Sequence, residues 1–237
     1  MIDMTKSFGG LIGPDWRVDW LKTPGNALRE SAVEPQPGQI DTMAAPSDPL
    51  YSEQWHFGLI GDIETIWNEY DGTSVHVGVY DSAIEYDHPD FGTDLYDSSL
   101  HFVDSTGKIY DPSPTGTGTE AHGTSVAGLL LSRADNELGG SGVAPGVTFT
   151  GVNFVGDIAA NESEETIIDA LKWAQNFDIM SNSWGQFAEY LPEQSLSSPD
   201  TEMSRWTAAY EEISEFGRDG LGTVIAVSYT HLRAHET

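Results

Sequence analysis

The chain has 237 residues and a formal net charge of −28, because 38 acidic side chains outnumber 10 basic ones. Its length suits one α/β domain with a sizeable core, and its charge argues against nucleic acid and anionic membrane surfaces as partners. The absence of cysteine excludes disulfides, thiolate metal sites and a cysteine nucleophile.

The acidity has two compatible interpretations. An excess of carboxylates suits a cationic substrate or bound cations, and it equally suits a salt-rich habitat, where an acidic surface keeps a protein hydrated. No stretch reaches the roughly 20 apolar residues that a membrane span needs. The first residues also lack an uninterrupted apolar run of signal-peptide length, so we expect no membrane span and see no signal peptide.

The N-terminal part contains several prolines and glycines with little periodicity, which predicts a linker or a pro-segment remnant over residues 1–47. A compact domain is expected over residues 48–226, starting at DPLYSEQWHF. The last ten residues, SYTHLRAHET, resemble the translation of a transposon-type sequencing adaptor. We therefore expect residues 227–237 to be a non-native tail.

Hydrophobic periodicity predicts alternating strands and helices within this domain. The predicted strands are 74–80, 147–155, 179–183 and 222–227, and the predicted helices are 62–70, a helix starting at 122, 164–177 and 201–216. This alternation predicts an α/β fold with a doubly wound, mostly parallel sheet and helices on both faces. Ligand sites in such folds lie at the carboxyl ends of the strands.

Local signals refine two of these helices. Asn161 with Glu164 three residues later predicts a capping box for the helix at 164–177, whose apolar face carries Ile167, Ile168, Leu171 and Ala174. In the helix at 201–216 the side chains expected to point inward are Met203, Trp206, Ile213 and Phe216, and Gly217 is the expected C-cap.

Asp81 ends the first predicted strand and His122 opens the helix that follows, so a carboxylate and an imidazole could meet at one edge of the sheet. An acid that orients an imidazole base is two thirds of a nucleophilic triad. Spacing alone is a weak signal, because a single Asp and a single His are more often a surface acid and a structural histidine. The local strings around both residues carry more information.

These strings are DSAIEYDHPDF at 81–91 and HGTSVAG at 122–128. They resemble the acid and histidine motifs of the subtilisin-like serine peptidases, in the chain order that this family uses. The resemblance implies that Asp81 and His122 are catalytic. Ala83 stands where the family usually has Gly, and a methyl group is tolerable there if the backbone keeps a negative φ.

Two further strings are similar to segments of the family, SGVAP at 141–145 and MSNSWG at 180–185. DPLYSEQWH at 48–56 and GRDGLGT at 217–223 are similar to the kexin-like branch specifically. The resemblance implies that Ser183, Trp184 and Gly185 bind the backbone of a protein or peptide substrate. That branch prefers basic residues before the cut, but Ser82 and residues 186–188 replace acids that it uses. Glu189 or Glu193 could substitute for them, and broad specificity is the alternative.

The same resemblance implies a structural Ca²⁺ site, since all-oxygen ligand sets suit this ion. Its side-chain ligands would be Asp48, Asp90 and Asn136, and its carbonyl ligands those of Ala134, Leu138 and Gly140. A solvated acidic loop is the alternative interpretation of residues 134–140.

The family's nucleophilic serine and oxyanion asparagine have no counterpart in this sequence, and we expect both to lie beyond its end. GTS at 123–125 resembles the serine string, but His122 directly precedes it and no GTSxxxP context follows, so Ser125 is expected to be an ordinary helix residue. The sequence thus predicts part of a serine endopeptidase, inactive as written and secreted by family resemblance. The alternatives are a relative that binds peptide or calcium without cleaving, and an inactive fragment.

Overall fold

The computed structural model describes residues 45–115, 121–184 and 202–228. All of them belong to the unit Met43–Thr237. The predicted linker at 1–47 lies outside the described residues except for its last three, and the predicted tail at 227–237 lies outside them except for its first two.

The described strands are β1 (His76–Asp81), β2 (Thr148–Asn153), β3 (Ile179–Asn182) and β4 (Val224–Val227). They form one parallel sheet in the order β2-β1-β3-β4. At the centre, Val77 of β1 pairs with Phe149 of β2 and with Ile179 of β3. The predicted α/β fold with a parallel sheet is therefore confirmed.

The described helices are α1 (Phe57–Ile60), α2 (Ile63–Trp67), α3 (Ala121–Leu131), α4 (Ala159–Asn161), α5 (Glu164–Trp173) and α6 (Glu202–Gly220). Short 3₁₀ turns lie at Tyr51–Glu53, Ser98–Leu100 and Ala174–Asn176, and a π-helical turn at Phe154–Ile158. None of the helices in the described ranges is long and apolar enough to span a bilayer.

Successive residues of β1 point to opposite faces of the sheet. Val79 packs with Leu131 of α3 in one apolar cluster, whereas Tyr80 packs with Leu171 of α5 and Ile213 of α6 in another. All five side chains are almost completely buried, and burial of each aliphatic one contributes about 1.5–3 kcal/mol to stability. Helices therefore cover both faces of the sheet.

The start of α5 differs from the prediction. Ser163, not Asn161, is its N-cap, and the Ser163 side chain accepts a hydrogen bond from the backbone N–H of Thr166. Asn161 is the last residue of α4, and Glu162 between the two helices is extended (φ −102°, ψ 170°). The predicted capping box is wrong because the chain is not yet helical at residue 162.

The strand predicted at 147–155 runs from Thr148 to Asn153. Phe154 and Ile158 are both fully buried, and their spacing of four residues suits the helical turn that replaces the end of the strand. Similarly, β1 starts at His76 and not at residue 74, because Ser74 has a positive φ of 71°.

In α6, Trp206 and Ile213 are buried as predicted, but Phe216 is 62% exposed. Phe216 directly precedes the break in the helix, where Gly217 is extended (φ −58°, ψ 161°). Gly217 is not a left-handed cap. A Cβ there would lie 2.2 Å from Thr223 Oγ1, so the glycine permits close packing. The predicted inward position of Met203 lies outside the described side chains.

Candidate active site

Asp81 and His122 meet at the carboxyl end of β1. Asp81 is the last residue of this strand and only 1% exposed, while His122 lies in the first turn of α3 with an exposed side chain. The His122 Nδ1 atom lies 2.6 Å from Asp81 Oδ1. An ionised carboxylate can only accept, so this contact places the ring proton on Nδ1 and leaves Nε2 with a lone pair that can take a proton.

The backbone directly after Asp81 helps to hold its carboxylate in place. The N–H of Ser82 donates to Asp81 Oδ1 at 2.7 Å, and this oxygen therefore serves both His122 and the next residue of the chain. The other oxygen, Oδ2, is buried without a hydrogen-bond partner among the described residues. The direction of the carboxylate therefore depends on Oδ1 and on the backbone of β1.

Two hydrogen bonds join the loop after β1 to the first turn of α3. The N–H of Gly123 donates to Ser82 Oγ at 2.9 Å, and the N–H of Glu85 donates to Thr124 Oγ1 at 3.0 Å. The two chains approach so closely that a Cβ on Gly123 would lie 2.5 Å from the carbonyl oxygen of Ser82. Sequence reasoning missed these contacts, although Ser82, Gly123 and Thr124 all lie within the two motifs.

Ala83 is fully buried and is not among the residues with positive φ. The condition for tolerating a methyl group at this position is therefore met.

Ser125 lies within α3 and its Oγ donates to the carbonyl oxygen of Ala121, which suits an ordinary helix residue. His88 Nδ1 accepts from the backbone N–H of Asp90 at 3.2 Å and thereby shapes the turn that carries this carboxylate.

Ser183 and Trp184 directly follow β3, beside the end of β1. The Trp184 indole Nε1 donates to the carbonyl oxygen of Tyr80 at 2.9 Å, one residue before Asp81. The indole ring also stacks on Phe154, with ring centroids 4.9 Å apart. Sequence reasoning did not predict either contact. Gly185, residues 186–188, Glu189 and Glu193 lie outside the described residues.

An open cavity of about 450 Å³ lies between α3 and the segment that follows β1. Glu85 and Phe91 line it from that segment, and Ala121, Thr124 and Ser125 line it from α3. The α3 residues flank His122 in the chain, but the described residues that line the cavity include neither Asp81 nor His122. It is large enough to receive a substrate side chain.

The residues expected to bind calcium surround the loop at 134–140. Asp48 is 4% exposed, and its carboxylate accepts from the backbone N–H groups of Asp135 and Asn136, both at 3.0 Å. Asp48 Oδ2 also accepts from Ser141 Oγ at 2.6 Å. Asp90 is 6% exposed, and its Oδ1 accepts from Asn136 Nδ2 at 3.0 Å. The structure thus brings both carboxylates to one loop.

Several features of this loop suit a cation. In the described part of the chain, neither Asp48 nor Asp90 forms an ion pair with a basic side chain. A Cβ on Gly139 would lie 2.3 Å from Asp90 Oδ2, so the loop backbone closely approaches this carboxylate. The described backbone amides do not donate to the carbonyl oxygens of Ala134, Leu138 or Gly140.

Few of the groups that could bind a cation at this loop are carboxylates. The described residues include no cluster of three or more His, Cys, Asp or Glu side chains around one point, so an ion here would need amide and carbonyl oxygens as well. Asn136 Oδ1 accepts from the N–H of Leu138 at 2.8 Å and keeps a second lone pair. The residues present therefore fit a hard cation with mixed oxygen ligands.

Gln54 was missed by sequence reasoning. Its Nε2 donates to the carbonyl oxygen of Ser141, and its Oε1 accepts from the N–H of Ser141, both at 2.8 Å. This pair of bonds ties the turn at Tyr51–Glu53 to the end of the 134–140 loop. The only signal for it was the position of Gln54 in the string DPLYSEQWH.

Three curated relatives are similar to this chain in sequence. Endoprotease bli-4 of Caenorhabditis elegans is 35% identical over 165 residues, which are 66% of this chain and 17% of that protein. Halolysin-like extracellular serine protease Nep of Natrialba magadii is 31% identical over 169 residues, 68% of this chain and 30% of that protein. Calcium-dependent protease of Nostoc sp. is 28% identical over 201 residues, 74% of this chain and 27% of that protein.

The chain thus spans less than a third of the length of each of these relatives. A solved structure, the serine protease of Aeromonas sobria, is similar in fold, with a TM-score of 0.60 and 22% sequence identity. The match covers 83% of this chain and 34% of that one. The sequence profile described as Subtilase family matches residues 72–230, more than half of the chain. The chain therefore belongs to the subtilase family.

Proposed function

We propose that this chain is part of a serine endopeptidase in which Asp81 and His122 are the acid and the base of the triad. The observation that carries the proposal is the 2.6 Å contact between His122 Nδ1 and the buried Asp81 carboxylate, which leaves Nε2 available. The motifs around both residues and the family membership support it. The nucleophilic serine and the oxyanion asparagine are proposed to come from sequence that follows this chain.

The proposed reaction proceeds in two steps. His122 Nε2 takes the proton of the serine hydroxyl while the serine oxygen attacks the scissile carbonyl carbon, and the protonated ring then gives this proton to the departing amine. A water molecule next loses a proton to His122 and attacks the acyl-enzyme, and the protonated ring then returns this proton to the serine oxygen as the acid product departs. Asp81 stays ionised throughout and stabilises the imidazolium.

Peptide hydrolysis by the full-length protein from the source gene tests this proposal. We expect Asp81→Asn to lower kcat by about 10⁴, because the ring would hold the wrong tautomer. We expect His122→Ala to lower kcat by about 10⁶, because the base would be lost. Glu215→Gln is a suitable control, since Glu215 is exposed on α6 and does not line the cavity beside α3. Equal activity of all four proteins would overturn the proposal.

A structural Ca²⁺ ion is the second part of the proposal. Asp48, Asp90 and the Asn136 side chain would hold it together with the carbonyl oxygens of Ala134, Leu138 and Gly140. When bound, the ion supplies positive charge to two buried carboxylates and links the segment at Asp48 to the loop that follows α3. The fit of the loop and a relative named for calcium dependence support this assignment.

The proposed substrate is a protein or peptide, and a preference for basic residues before the cut is the finer proposal. The net charge of −28 favours cationic substrates. Cleavage of a peptide library with randomised positions before the scissile bond tests it. Enrichment of Arg or Lys is the expected result, and uniform cleavage would establish the broad specificity that the sequence also allowed. Nucleic acid is not a proposed partner.

The enzyme is further proposed to be secreted. A relative is named as extracellular, and an acidic surface suits salt-rich surroundings. Immunodetection of the protein in culture medium and in cells of the source organism distinguishes secretion from intracellular retention.

A further inference from the structure

A hydrogen bond beside the Asp81–His122 pair joins the acid strand to the segment after β3. The indole Nε1 of Trp184 donates to the backbone carbonyl oxygen of Tyr80 at 2.9 Å. Tyr80 is the last residue of β1 that pairs with β3, where it lies opposite Asn182. The indole therefore reaches from one strand to the other at the point where their paired register ends.

The Trp184 ring is held by two aromatic contacts. It stacks on Phe154 with ring centroids 4.9 Å apart and an interplanar angle of 27°. Its edge meets Trp206 at 6.2 Å and 83°. Phe154 is fully buried and Trp206 is 9% exposed, so the partners are themselves part of the core. These contacts restrict rotation of the indole and keep Nε1 directed at Tyr80.

Tyr80 transmits this constraint to the acid. Its side chain is fully buried, and its hydroxyl donates to the carbonyl oxygen of Ala170 in α5 at 2.8 Å. The side chain and the carbonyl of Tyr80 are thus both fixed, and the peptide that contains this carbonyl leads directly into Asp81. Because Asp81 Oδ2 has no partner among the described residues, the backbone sets much of the carboxylate's direction.

We propose that Trp184 is a positioning residue for the peptidase reaction. Through the Tyr80 carbonyl it fixes the peptide before Asp81 and hence the direction of this carboxylate towards His122. This inference rests on the proposed function. Trp184 also belongs to the segment proposed to bind the substrate backbone, so one indole joins that segment to the acid. Its effect falls on the chemical step, because Asp81 acts on His122 and not on the substrate.

The test removes the indole N–H from the full-length protein. Trp184→Phe keeps an aromatic ring beside Phe154 and loses the donor. Replacement of Trp184 by benzothienylalanine keeps the bicyclic shape and also loses the donor. If the smaller ring of Trp184→Phe impairs folding, this second variant still tests the role of the indole N–H. Trp173→Phe is the matched control, because the Trp173 indole Nε1 also donates to a backbone carbonyl oxygen, that of Leu100 at 3.0 Å, while its described ring contact is with Phe102 and not with Trp184.

Steady-state kinetics separate the two roles that Trp184 could have. We expect both Trp184 variants to lower kcat about tenfold with little change in KM, because a misdirected carboxylate weakens proton transfer and not substrate binding. We expect Trp173→Phe to retain the wild-type kcat. An unchanged kcat in the Trp184 variants, or a rise in KM alone, would overturn the proposal.

A spectroscopic readout is independent of turnover. The proton on His122 Nδ1, hydrogen-bonded to Asp81, gives a strongly deshielded proton NMR resonance. We expect this resonance to shift upfield or broaden in both Trp184 variants and to stay in place in Trp173→Phe. If the wild-type protein hydrolyses no peptide, the proposed function fails, but this resonance still reports positioning. An unchanged resonance in the Trp184 variants contradicts the inference.

Discussion

Gly123 is a point of close contact between α3 and the loop after β1. A Cβ at this position would meet the backbone oxygens of Ser82 and Ala83 at 2.5 Å and 2.7 Å. Backbone atoms cannot rotate away as a flexible side chain can. The N-terminus of α3 would therefore have to move, and His122 would move with it.

We expect Gly123→Ala to lower the free energy of unfolding by about 1–3 kcal/mol, the usual cost of overpacking, and to lower kcat as well. Urea denaturation and peptide hydrolysis measure the two effects. Gly58→Ala is the matched control, because a Cβ on Gly58 in α1 would meet nothing within 4 Å. Wild-type stability and activity in Gly123→Ala would show that α3 is not held at this contact.

His101 is a buried histidine outside the Asp81–His122 pair. It is 8% exposed, and its Nε2 forms a hydrogen bond with the hydroxyl of Tyr96. Burial lowers the pKa of His101, and the nearby carboxylates of Asp97 and Asp111 oppose this shift without cancelling it. The folded protein therefore resists protonation of His101 more than the unfolded chain does.

This shift predicts a pH-dependent stability. As the pH falls below about 6.5, the unfolded chain takes up a proton at His101 before the folded state does, so the free energy of unfolding decreases. His76, whose pKa is also lowered by burial, contributes in the same direction. We expect His101→Gln to reduce the loss of stability between pH 7 and pH 5, measured by urea denaturation. An unchanged pH dependence in this variant would contradict the assignment.

The sequence could predict the two catalytic candidates but not the contacts of their neighbours. Asp81 and His122 could be predicted because their local strings resemble known motifs and because strand ends meet at one edge of a parallel sheet. The hydrogen bond from Trp184 to Tyr80 joins residues that are 104 positions apart in the chain. It depends on how the Trp184 ring stacks on Phe154. No local pattern encodes such a contact, so it became visible only in the folded chain.

Among the strands and helices, too, some features could be predicted from local sequence patterns and others could not. The centres of β1, β3 and α5 could be predicted from hydrophobic periodicity, because each buries a regular pattern of apolar side chains. The π-helical turn at Phe154–Ile158 could not, because Phe154 and Val155 look like an extension of β2. The exposed Phe216 shows the same limit at the end of α6, where the break at Gly217 decides the exposure.

The cap of α5 gives a direct test of the observed helix start. We expect Ser163→Ala to lower the free energy of unfolding by about 1 kcal/mol, because the N–H of Thr166 would lose its acceptor. Asn161→Ala is the control, since among the described residues the Asn161 side chain donates only to Asp157, at 3.2 Å on the surface. Thermal or urea denaturation compares the two. A larger loss of stability in Asn161→Ala than in Ser163→Ala would support the helix start at Asn161 that the sequence predicted.

The proposed Ca²⁺ ion would affect the stability of the whole protein. A bound ion stabilises the folded state by RT ln(1 + [L]/Kd), which is about 2.7 kcal/mol when calcium exceeds Kd a hundredfold. We therefore expect calcium to raise the Tm of chelator-treated full-length protein, and Asp90→Asn to abolish most of this rise.

Asp94→Asn is the matched control for that titration. Asp94 lies four residues from Asp90, but its side chain is 70% exposed and pairs with Arg133. We expect this variant to keep the wild-type response to calcium. If both variants respond as the wild type does, the loop at 134–140 is not the calcium site.

Covalent labelling of the full-length protein by a fluorophosphonate tests the central claim most directly. This reagent reacts with a serine that an adjacent base has activated, so it reports the proposed triad without knowledge of the substrate. The account predicts labelling of one serine outside residues 1–237 in the wild type and loss of labelling in His122→Ala. Absence of labelling in the folded wild-type protein, or equal labelling of the His122→Ala variant, would contradict it.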